Sequence, residues 1–226
     1  MAIKAITIDL YGTLVKDNNV LMRDICQRIN ASSRVFESTA ANVGKSWLAL
    51  SVECAGICVD DKFLNEKDLE IVILTRLLNK YRSRLDPYLL HEEIRNISLR
   101  PILYDDARLF LTRLPLPCYV LCNGDRKNIE SAVDYAAINA TDIICSEDAK
   151  AYKPNDRIYE YALDKIGLSP SQVLHVGDSI NHDIKPAKKA GMKAVLLNRF
   201  GQKLPDDLNC DMVCSSLLTL RSIIKY

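Results

Sequence analysis

The sequence predicts an α/β fold in which helices cover both faces of a doubly wound parallel sheet. Two observations support this class: short apolar runs rich in β-branched residues recur along the chain, and helical patterns separate several of them. Alternating strands and helices form βαβ units, whose strands lie parallel. The predicted strands cover residues 3–9, 118–123, 142–145, 172–177 and 193–198.

Two helices are predicted between the later strands. Ile158, Ala162 and Ile166 repeat every four residues, and the pattern stops at Gly167, a residue that commonly ends helices. Residues 183–190 likewise stop at Gly191. Each helix therefore provides the crossover that a parallel pair of strands requires.

Residues 17–99 contain helical periods and no clear strand. One predicted helical face carries the apolar residues Val43, Trp47, Leu50 and Cys54, and a second carries Leu69, Ile73 and Leu77. Asn65 is a suitable N-cap for the second helix. We therefore expect an α/β core formed by residues 1–16 and 100–226, interrupted by a helical domain of residues 17–99. The chain should cross between them near Lys16 and Arg100.

Composition argues against several classes of partner. Lys plus Arg number 30 and Asp plus Glu number 29, so the net charge of +1 favours neither nucleic acid nor an anionic membrane. No apolar run reaches the ~20 residues of a transmembrane helix. Asp9 interrupts the apolar stretch that a signal peptide would need. We expect a cytoplasmic protein that acts on a small molecule, and its oligomeric state is not predicted.

The eight cysteines do not predict a metal site. Three pairs lie four residues apart, but no CxxC occurs and the chain has only three histidines. Free cysteine behaves as a small apolar residue in a core. We therefore expect buried, reduced thiols rather than a zinc site.

Polar residues follow several predicted strands. Asp9, Asn123 and Asp178 each end or follow an apolar run, and a loop at 146–153 follows another. Ligands bind outside the carboxyl ends of the strands in open parallel sheets. Segments more than 100 residues apart should therefore converge on one crevice.

Four segments, in order, resemble the motifs of the haloacid-dehalogenase-like superfamily. They are Asp9-Leu-Tyr-Gly-Thr13, Cys122-Asn123-Gly124, Lys153-Pro154, and Gly177-Asp178-Ser179 followed by Asp183. The second motif usually begins with Ser or Thr, and here Cys122 stands in that place. The resemblance covers residues 3–198 and implies a Rossmann-like core with a helical cap at 17–99.

The resemblance implies covalent catalysis by Asp9. A carboxylate can attack an electrophilic phosphorus or carbon and form an ester, which divides one difficult displacement into two easier ones. Thr13 would orient this carboxylate or the substrate. Lys153 would neutralise negative charge, and Asn123 with the Gly124 N–H would hold oxygens of the transferred group. The predicted substrate contacts are Tyr11, Cys122, Asn123, Gly124 and Lys153.

Asp9 and Asp178 in one crevice would repel each other without a cation. An oxygen-rich site of this kind suits Mg²⁺, which binds one or two carboxylates and a substrate phosphate. The family pattern implies a magnesium site made by Asp9, the carbonyl of Tyr11 and Asp178, with Asp183 orienting the shell.

Tyr11 leaves the reaction open. Phosphatases of this family usually carry at this position an Asp that protonates the leaving group. Tyrosine there resembles 2-haloacid dehalogenases, as does Tyr159, but those enzymes lack the Gly-Asp pair at 177–178 and work without metal. They also use an arginine early in the cap, whereas only Lys45 lies near Trp47. We favour a Mg²⁺-dependent phosphatase of a small phosphorylated metabolite; the alternatives are a dehalogenase and a non-catalytic protein that binds a phosphorylated ligand.

Overall fold

A computed structural model describes residues 2–222 of the chain, and the described residues form a parallel six-stranded sheet. The strand order is β3-β2-β1-β4-β5-β6, which confirms the predicted doubly wound class. The strands are β1 (Ala5–Ile8), β2 (Cys118–Cys122), β3 (Asp142–Cys145), β4 (Val173–Gly177), β5 (Lys193–Leu197) and β6 (Met212–Cys214). β6 was not predicted, because three residues are too few to show a period.

The central strand β1 is buried along its whole length. Ile6 pairs with Cys118 of β2 on one side and with Leu174 of β4 on the other. The strand order reverses here, since β2 and β3 continue in one direction and β4 to β6 in the other. In doubly wound sheets this switch point opens a crevice outside the carboxyl ends of the strands. Asp9, the residue after β1, lies at that position.

The chain divides into two compact units. One comprises Met1–Asp17 with Pro101–Tyr226, and the other, the helical unit, is Asn18–Arg100. The predicted crossings at Lys16 and Arg100 lie next to these boundaries. The helices of the helical unit are α1 (Asn19–Ala31), α2 (Ala40–Ile57), α3 (Glu66–Tyr81) and α4 (Pro87–Ser98).

The helical unit has its own core. α2 packs against α1 and α3, and α3 packs against α4. Ile25 and Ile29 of α1, Val43 of α2 and Leu77 of α3 are completely buried. α3 begins after Asn65, whose side-chain oxygen accepts a hydrogen bond from the Asp68 N–H at 2.8 Å. This is the predicted cap, and it satisfies one of the unpaired N–H groups at a helix start.

The helices of the α/β unit lie on both faces of the sheet. They are α5 (Asp105–Thr112), α6 (Arg126–Tyr135), α7 (Ser146–Ala149), α8 (Asp156–Ile166) and α9 (Lys185–Lys189). One apolar cluster contains Ile6 of β1 and Phe110 of α5, and a second contains Leu121 of β2 and Ile158 of α8. α8 ends at Gly167 with φ +70°, as predicted.

The helix predicted at 183–190 differs from expectation. A wider π turn at Ile180–Ile184 precedes the short α9. The Ile184 N–H donates to the Ser179 carbonyl, five residues earlier, at 3.1 Å. Pro186 has no N–H for the carbonyl of His182, and the Tyr159 hydroxyl donates to that carbonyl instead. The proline therefore prevents a regular helix from starting at residue 183.

Two other expectations concern the thiols and the membrane. All eight cysteines are free, and all except the half-buried Cys210 are buried, as predicted. In residues 2–222, no helix has the length and apolar character needed to cross a bilayer. The cytoplasmic location stays a prediction.

Leu77→Ala should destabilise the helical unit by roughly 2–5 kcal/mol, since it removes a buried side chain and leaves a cavity. Trp47 of α2 is the single tryptophan of the chain, so its fluorescence during urea unfolding reports on this unit. Leu89→Ala is the matched control, because Leu89 of α4 is 65% exposed. Equal urea midpoints for Leu77→Ala and the wild type would contradict the packing described above.

Candidate active site

A buried lysine joins two carboxylates at the carboxyl edge of the sheet. The Lys153 Nζ lies 2.5 Å from Asp9 Oδ1 and 2.7 Å from Asp183 Oδ1, and all three residues are buried. The Asp9 N–H donates to the Val176 carbonyl of β4 at 2.9 Å, which fixes the residue across the switch point. The structure thus brings together three predicted site residues from distant parts of the chain.

Asn123 holds the main chain of Lys153. Its Oδ1 accepts from the Lys153 N–H at 2.6 Å, and its Nδ2 donates to the Lys153 carbonyl at 3.2 Å. The sequence suggested that Asn123 would bind oxygens of the transferred group. The structure shows both ends of the amide bound to the loop that carries Lys153, so Asn123 positions the lysine, and its contact with the transferred group stays a prediction.

Two further predicted substrate contacts are engaged inside the protein. The Gly124 N–H donates to Ser146 Oγ at 2.9 Å, and that hydroxyl donates to the Gly124 carbonyl at 3.0 Å. Gly124 has φ +144°, which glycine adopts readily. Cys122 is 1% exposed and belongs to the apolar core. The Gly124 N–H is thus already bonded to Ser146, and substrate binding by Gly124 and by Cys122 stays a prediction. Sequence analysis placed Ser146 at the start of the loop after β3 but gave it no role of its own.

Asp183 is held by donors on two sides. Its Oδ2 accepts from the Ser179 N–H at 3.0 Å, and its Oδ1 lies 3.3 Å from His175 Nε2. His175 Nδ1 lies 2.9 Å from Thr7 Oγ1. Burial lowers the pKa of His175, so the neutral ring donates through Nε2 and accepts from Thr7. This network holds Asp183 as the predicted orienting role requires, and its place in a magnesium site stays a prediction.

Two glycines permit the close approach of these segments. A Cβ at Gly12, where φ is +86°, would lie 2.5 Å from Asp178 Oδ2 and 3.1 Å from Asp17 Oδ1. A Cβ at Gly177 would lie 2.3 Å from the carboxyl carbon of Asp183. Asp178 therefore lies against the turn that follows Asp9, as predicted. Asp17, which no sequence motif indicated, lies there too.

The site carries more negative than positive charge. Burial raises the pKa of Asp9 to about 7, although the Lys153 charge opposes the shift. Burial also raises the pKa of Asp178 to about 6, with further contributions from Asp183 and Asp17. Burial acts on Asp183 in the same direction, but the Lys153 charge and the His175 bond hold its pKa below the ordinary range. The charge of Lys153 thus keeps Asp183 ionised, but it does not offset the effect of burial on Asp9 and Asp178.

Arg199 fixes the turn that contains Thr13. Its Nη2 donates to the Thr13 carbonyl and its Nη1 to Asp106 Oδ2, both at 2.8 Å. The guanidinium also lies 4.0 Å from the centre of the Tyr104 ring. Thr13 is fully buried, and its hydroxyl has no partner within residues 2–222. Tyr11 is half-buried and packs against the apolar core. The sequence contained little indication of Arg199, because this residue follows β5 but belongs to no motif.

A doubly wound sheet with buried charged groups at the carboxyl ends of its strands is typical of α/β enzymes. The chain belongs to the haloacid dehalogenase-like hydrolases, because the model of that family matches residues 3–191. This confirms the superfamily that the four motifs indicated and the prediction of a hydrolase.

Both predicted reactions occur among the relatives. The chain is 25% identical to the (S)-2-haloacid dehalogenase 4A of Burkholderia cepacia over 207 residues, which are 88% of this chain and 85% of the relative. It is 24% identical to the N-acylneuraminate-9-phosphatase of Mus musculus over 99% of this chain and 94% of that protein. The fold also resembles the crystal structure of the HAD-hydrolase YfnB from Bacillus subtilis bound to magnesium. The two chains superpose with a TM-score of 0.73 over the full length of both, at 18% sequence identity.

The raised pKa values predict a pH-dependent stability in the presence of EDTA. Between the ordinary carboxyl pKa of 3.8 and values of about 6 to 7, the folded protein holds more protons than the unfolded chain. The contribution of Asp9 and Asp178 to the free energy of unfolding therefore falls as pH rises from 5 to 8. Asp178→Asn should gain about 1–3 kcal/mol relative to wild type over this interval.

Urea unfolding of both proteins, followed by circular dichroism at several pH values, measures this difference. Burial lowers the pKa of His175 and His182, which acts in the opposite direction below pH 6.5, but both proteins share that effect. Parallel stability curves for the two proteins would show that Asp178 does not titrate in this range.

Proposed function

We propose that this hydrolase is a Mg²⁺-dependent phosphatase that uses Asp9 as its nucleophile and acts on a small phosphorylated metabolite. The observation that carries the proposal is the shortage of positive charge around Asp9 and Asp178. Both carboxyl groups have pKa values raised by burial, and the nearby Lys153 is shared with Asp183. A nucleophilic carboxylate must be ionised, so the site needs a further cation at neutral pH.

The donor set fits Mg²⁺. Asp9 and Asp178 supply carboxylate oxygens, and Gly12 leaves the space in which Asp178 approaches the nucleophile loop. The carbonyl of Tyr11 would complete the protein ligands, and Asp183 would orient the site through Lys153. When bound, Mg²⁺ would supply positive charge that keeps both carboxylates ionised and attracts a phosphate group. Within residues 2–222, no three His, Cys, Asp or Glu side chains surround one metal position, so this set depends on a main-chain ligand.

The reaction would take two steps. An Asp9 oxygen attacks phosphorus and forms an acyl phosphate, while the bond from phosphorus to the ester oxygen breaks and the alkoxide leaves, taking a proton from water to become the alcohol. Water then attacks the acyl phosphate, which releases phosphate and restores Asp9. Lys153 offsets negative charge on the nucleophile and substrate. The Thr13 hydroxyl, which is buried without a partner in residues 2–222, is a further donor on the turn that follows Asp9.

Tyr11 favours one second candidate, a 2-haloacid dehalogenase. A halide leaves without a proton, so that reaction does not need the Asp that phosphatases of this family usually carry at this position. The similarity to the Burkholderia cepacia dehalogenase supports this alternative. The shortage of positive charge around Asp178 opposes the dehalogenase, because dehalogenases of this family work without metal and would leave the Asp178 carboxylate without a balancing cation.

Release of phosphate and of halide, assayed on panels of phosphate monoesters and 2-haloacids with Mg²⁺ or with EDTA, separates the two functions. We expect phosphate release that EDTA abolishes. Asp9→Asn should lose turnover by at least ~10³-fold, and Asp178→Asn should require far more Mg²⁺. Halide release that persists in EDTA and in Asp178→Asn would establish the dehalogenase instead.

Tyr11→Asp should raise phosphatase activity on an alkyl phosphate, on the order of 10²-fold. A phenol with a pKa near ~10 is a poor proton donor at neutral pH, and an alkoxide leaving group needs a proton. An aryl phosphate should gain much less, because its leaving group is a stable anion. The ratio of the two rates at saturating Mg²⁺ is the measurement, and Tyr11→Phe is the control.

A folded Tyr11→Asp protein without an alkyl-specific gain would contradict this role of Tyr11. Repeating the assay in a His182→Ala background then identifies the cause. A loss of alkyl activity there would identify His182 as the acid, whereas unchanged activity would count against phosphate esters as substrates.

A further inference from the structure

The side chain of Arg199 lies between two acceptors beside the turn of residues 10–15, which follows Asp9. Its Nη1 binds Asp106 Oδ2 and its Nη2 binds the Thr13 carbonyl, both at 2.8 Å. The Arg199 and Asp106 side chains are 10% and 15% exposed. A buried guanidinium must be paired, and here one of its partners is the main chain of the turn.

Asp106 is itself held from the C-terminal part of the described chain. Its Oδ2 also accepts from the Ser216 hydroxyl and from the Leu217 N–H, each at 2.9 Å. Burial alone would raise the pKa of Asp106, but the bond from Arg199 and these two bonds hold it below the ordinary range. The carboxylate is therefore ionised and fixed, and it holds Arg199 in one orientation.

Tyr104 contacts both Arg199 and the turn. Its ring centre lies 4.0 Å from the guanidinium carbon of Arg199, and its N–H donates to the Leu14 carbonyl at 3.0 Å. An arginine can bind two acceptors with its planar fork while it stacks on a ring, which a lysine ammonium cannot do. The residue type therefore matches the geometry.

Neither stability alone nor the family assignment explains Arg199. Its Nε is buried and has no hydrogen-bond partner within residues 2–222. A buried donor without a partner costs stability, so the two Nη contacts set the position even though Nε remains unbonded. Arg199, Ser216 and Leu217 also follow the segment 3–191 that the family model matches, so the family assignment gives them no role.

We propose that Arg199 is a positioning residue: held by Asp106, it binds the Thr13 carbonyl and thereby fixes the turn that orients the Asp9 carboxylate for attack. On the other side, the Asp9 N–H is bonded to the Val176 carbonyl of β4 at 2.9 Å. Arg199 acts through the main chain from Thr13 to Asp9 rather than on the substrate. The inference rests on the nucleophilic role of Asp9 in the proposed function, and it holds for a phosphate ester and for a haloacid.

Amide hydrogen exchange in the full chain, followed by NMR, tests whether Arg199 fixes the turn. Arg199→Ala should speed exchange of the Leu14 N–H, which donates to the Leu10 carbonyl, at least ~10-fold relative to the Ile6 N–H of β1. Equal acceleration at Ile6 would mean a general loss of stability and would overturn the proposal. Ile129→Ala is the matched control, because it removes a side chain that is 1% exposed in the same unit and should not raise this ratio.

Steady-state kinetics test the effect on catalysis. Misplacing a reacting group by about 1 Å can cost ~10²-fold in rate. Arg199→Ala should therefore lower kcat by about 10²-fold and leave KM within about 2-fold of the wild-type value, because the lost orientation matters in the transition state. Rates are expressed per folded protein, measured by urea unfolding, and Ile129→Ala should keep the wild-type kcat. An unchanged kcat in folded Arg199→Ala, or an equal loss in Ile129→Ala, would overturn the proposal.

Two further variants test the roles of the guanidinium and of Asp106. Arg199→Lys should recover part of the lost kcat, because an ammonium can still donate to the Thr13 carbonyl. Asp106→Asn should lower kcat about 10-fold, and the double variant Arg199→Ala/Asp106→Asn should lose no more than Arg199→Ala alone, because Asp106 acts through Arg199. Losses that multiply in the double variant would overturn the role of Asp106.

The substrate for these assays is the phosphate ester or haloacid that the wild type hydrolyses fastest. Turnover that survives in Asp9→Asn would overturn the proposed function, while the exchange experiment still reports on the turn. Loss of turnover in Asp9→Asn together with wild-type kcat in Arg199→Ala would overturn the positioning role alone.

Discussion

One buried ammonium group, Nζ of Lys153, organises the carboxyl edge of the sheet. It binds Asp9 and Asp183, and the main chain that carries it is held by Asn123. Removing three charged groups from water costs several kcal/mol for each ion, and close contacts with additional hydrogen bonds must offset that cost. His175 and the Ser179 N–H supply such bonds to Asp183. The strands after which these groups lie are thereby tied together electrostatically.

The positive charge of Lys153 does not balance the negative charge of the carboxylates around it. Burial raises the pKa of Asp9 and of Asp178 despite the Lys153 charge, whereas for Asp183 that charge and the His175 bond outweigh burial and hold the pKa below its ordinary range. Neighbouring acids with pKa values pushed apart are typical of sites that divide chemical roles between carboxylates. Here one carboxylate orients the lysine and another is available for covalent chemistry. A divalent cation would complete the balance, which is why the charge pattern and the proposed reaction support each other.

Two glycines allow the close packing of the carboxyl groups. At Gly12, a side chain would occupy the space of the Asp178 carboxyl group, and at Gly177 it would occupy that of Asp183. The segments after β1 and β4 can therefore approach each other only because these two positions lack a Cβ.

The sequence by itself determined the fold class and the positions of Asp9, Lys153 and Asp178, because strand periodicity is local and parallel topology places the carboxyl ends together. It also predicted the bounds of the central strands within one or two residues. Only the tertiary structure decided that Asn123 binds the Lys153 main chain and that the Gly124 N–H is satisfied within the protein. Those outcomes depend on distances between segments more than 20 residues apart, which packing sets and no local pattern encodes.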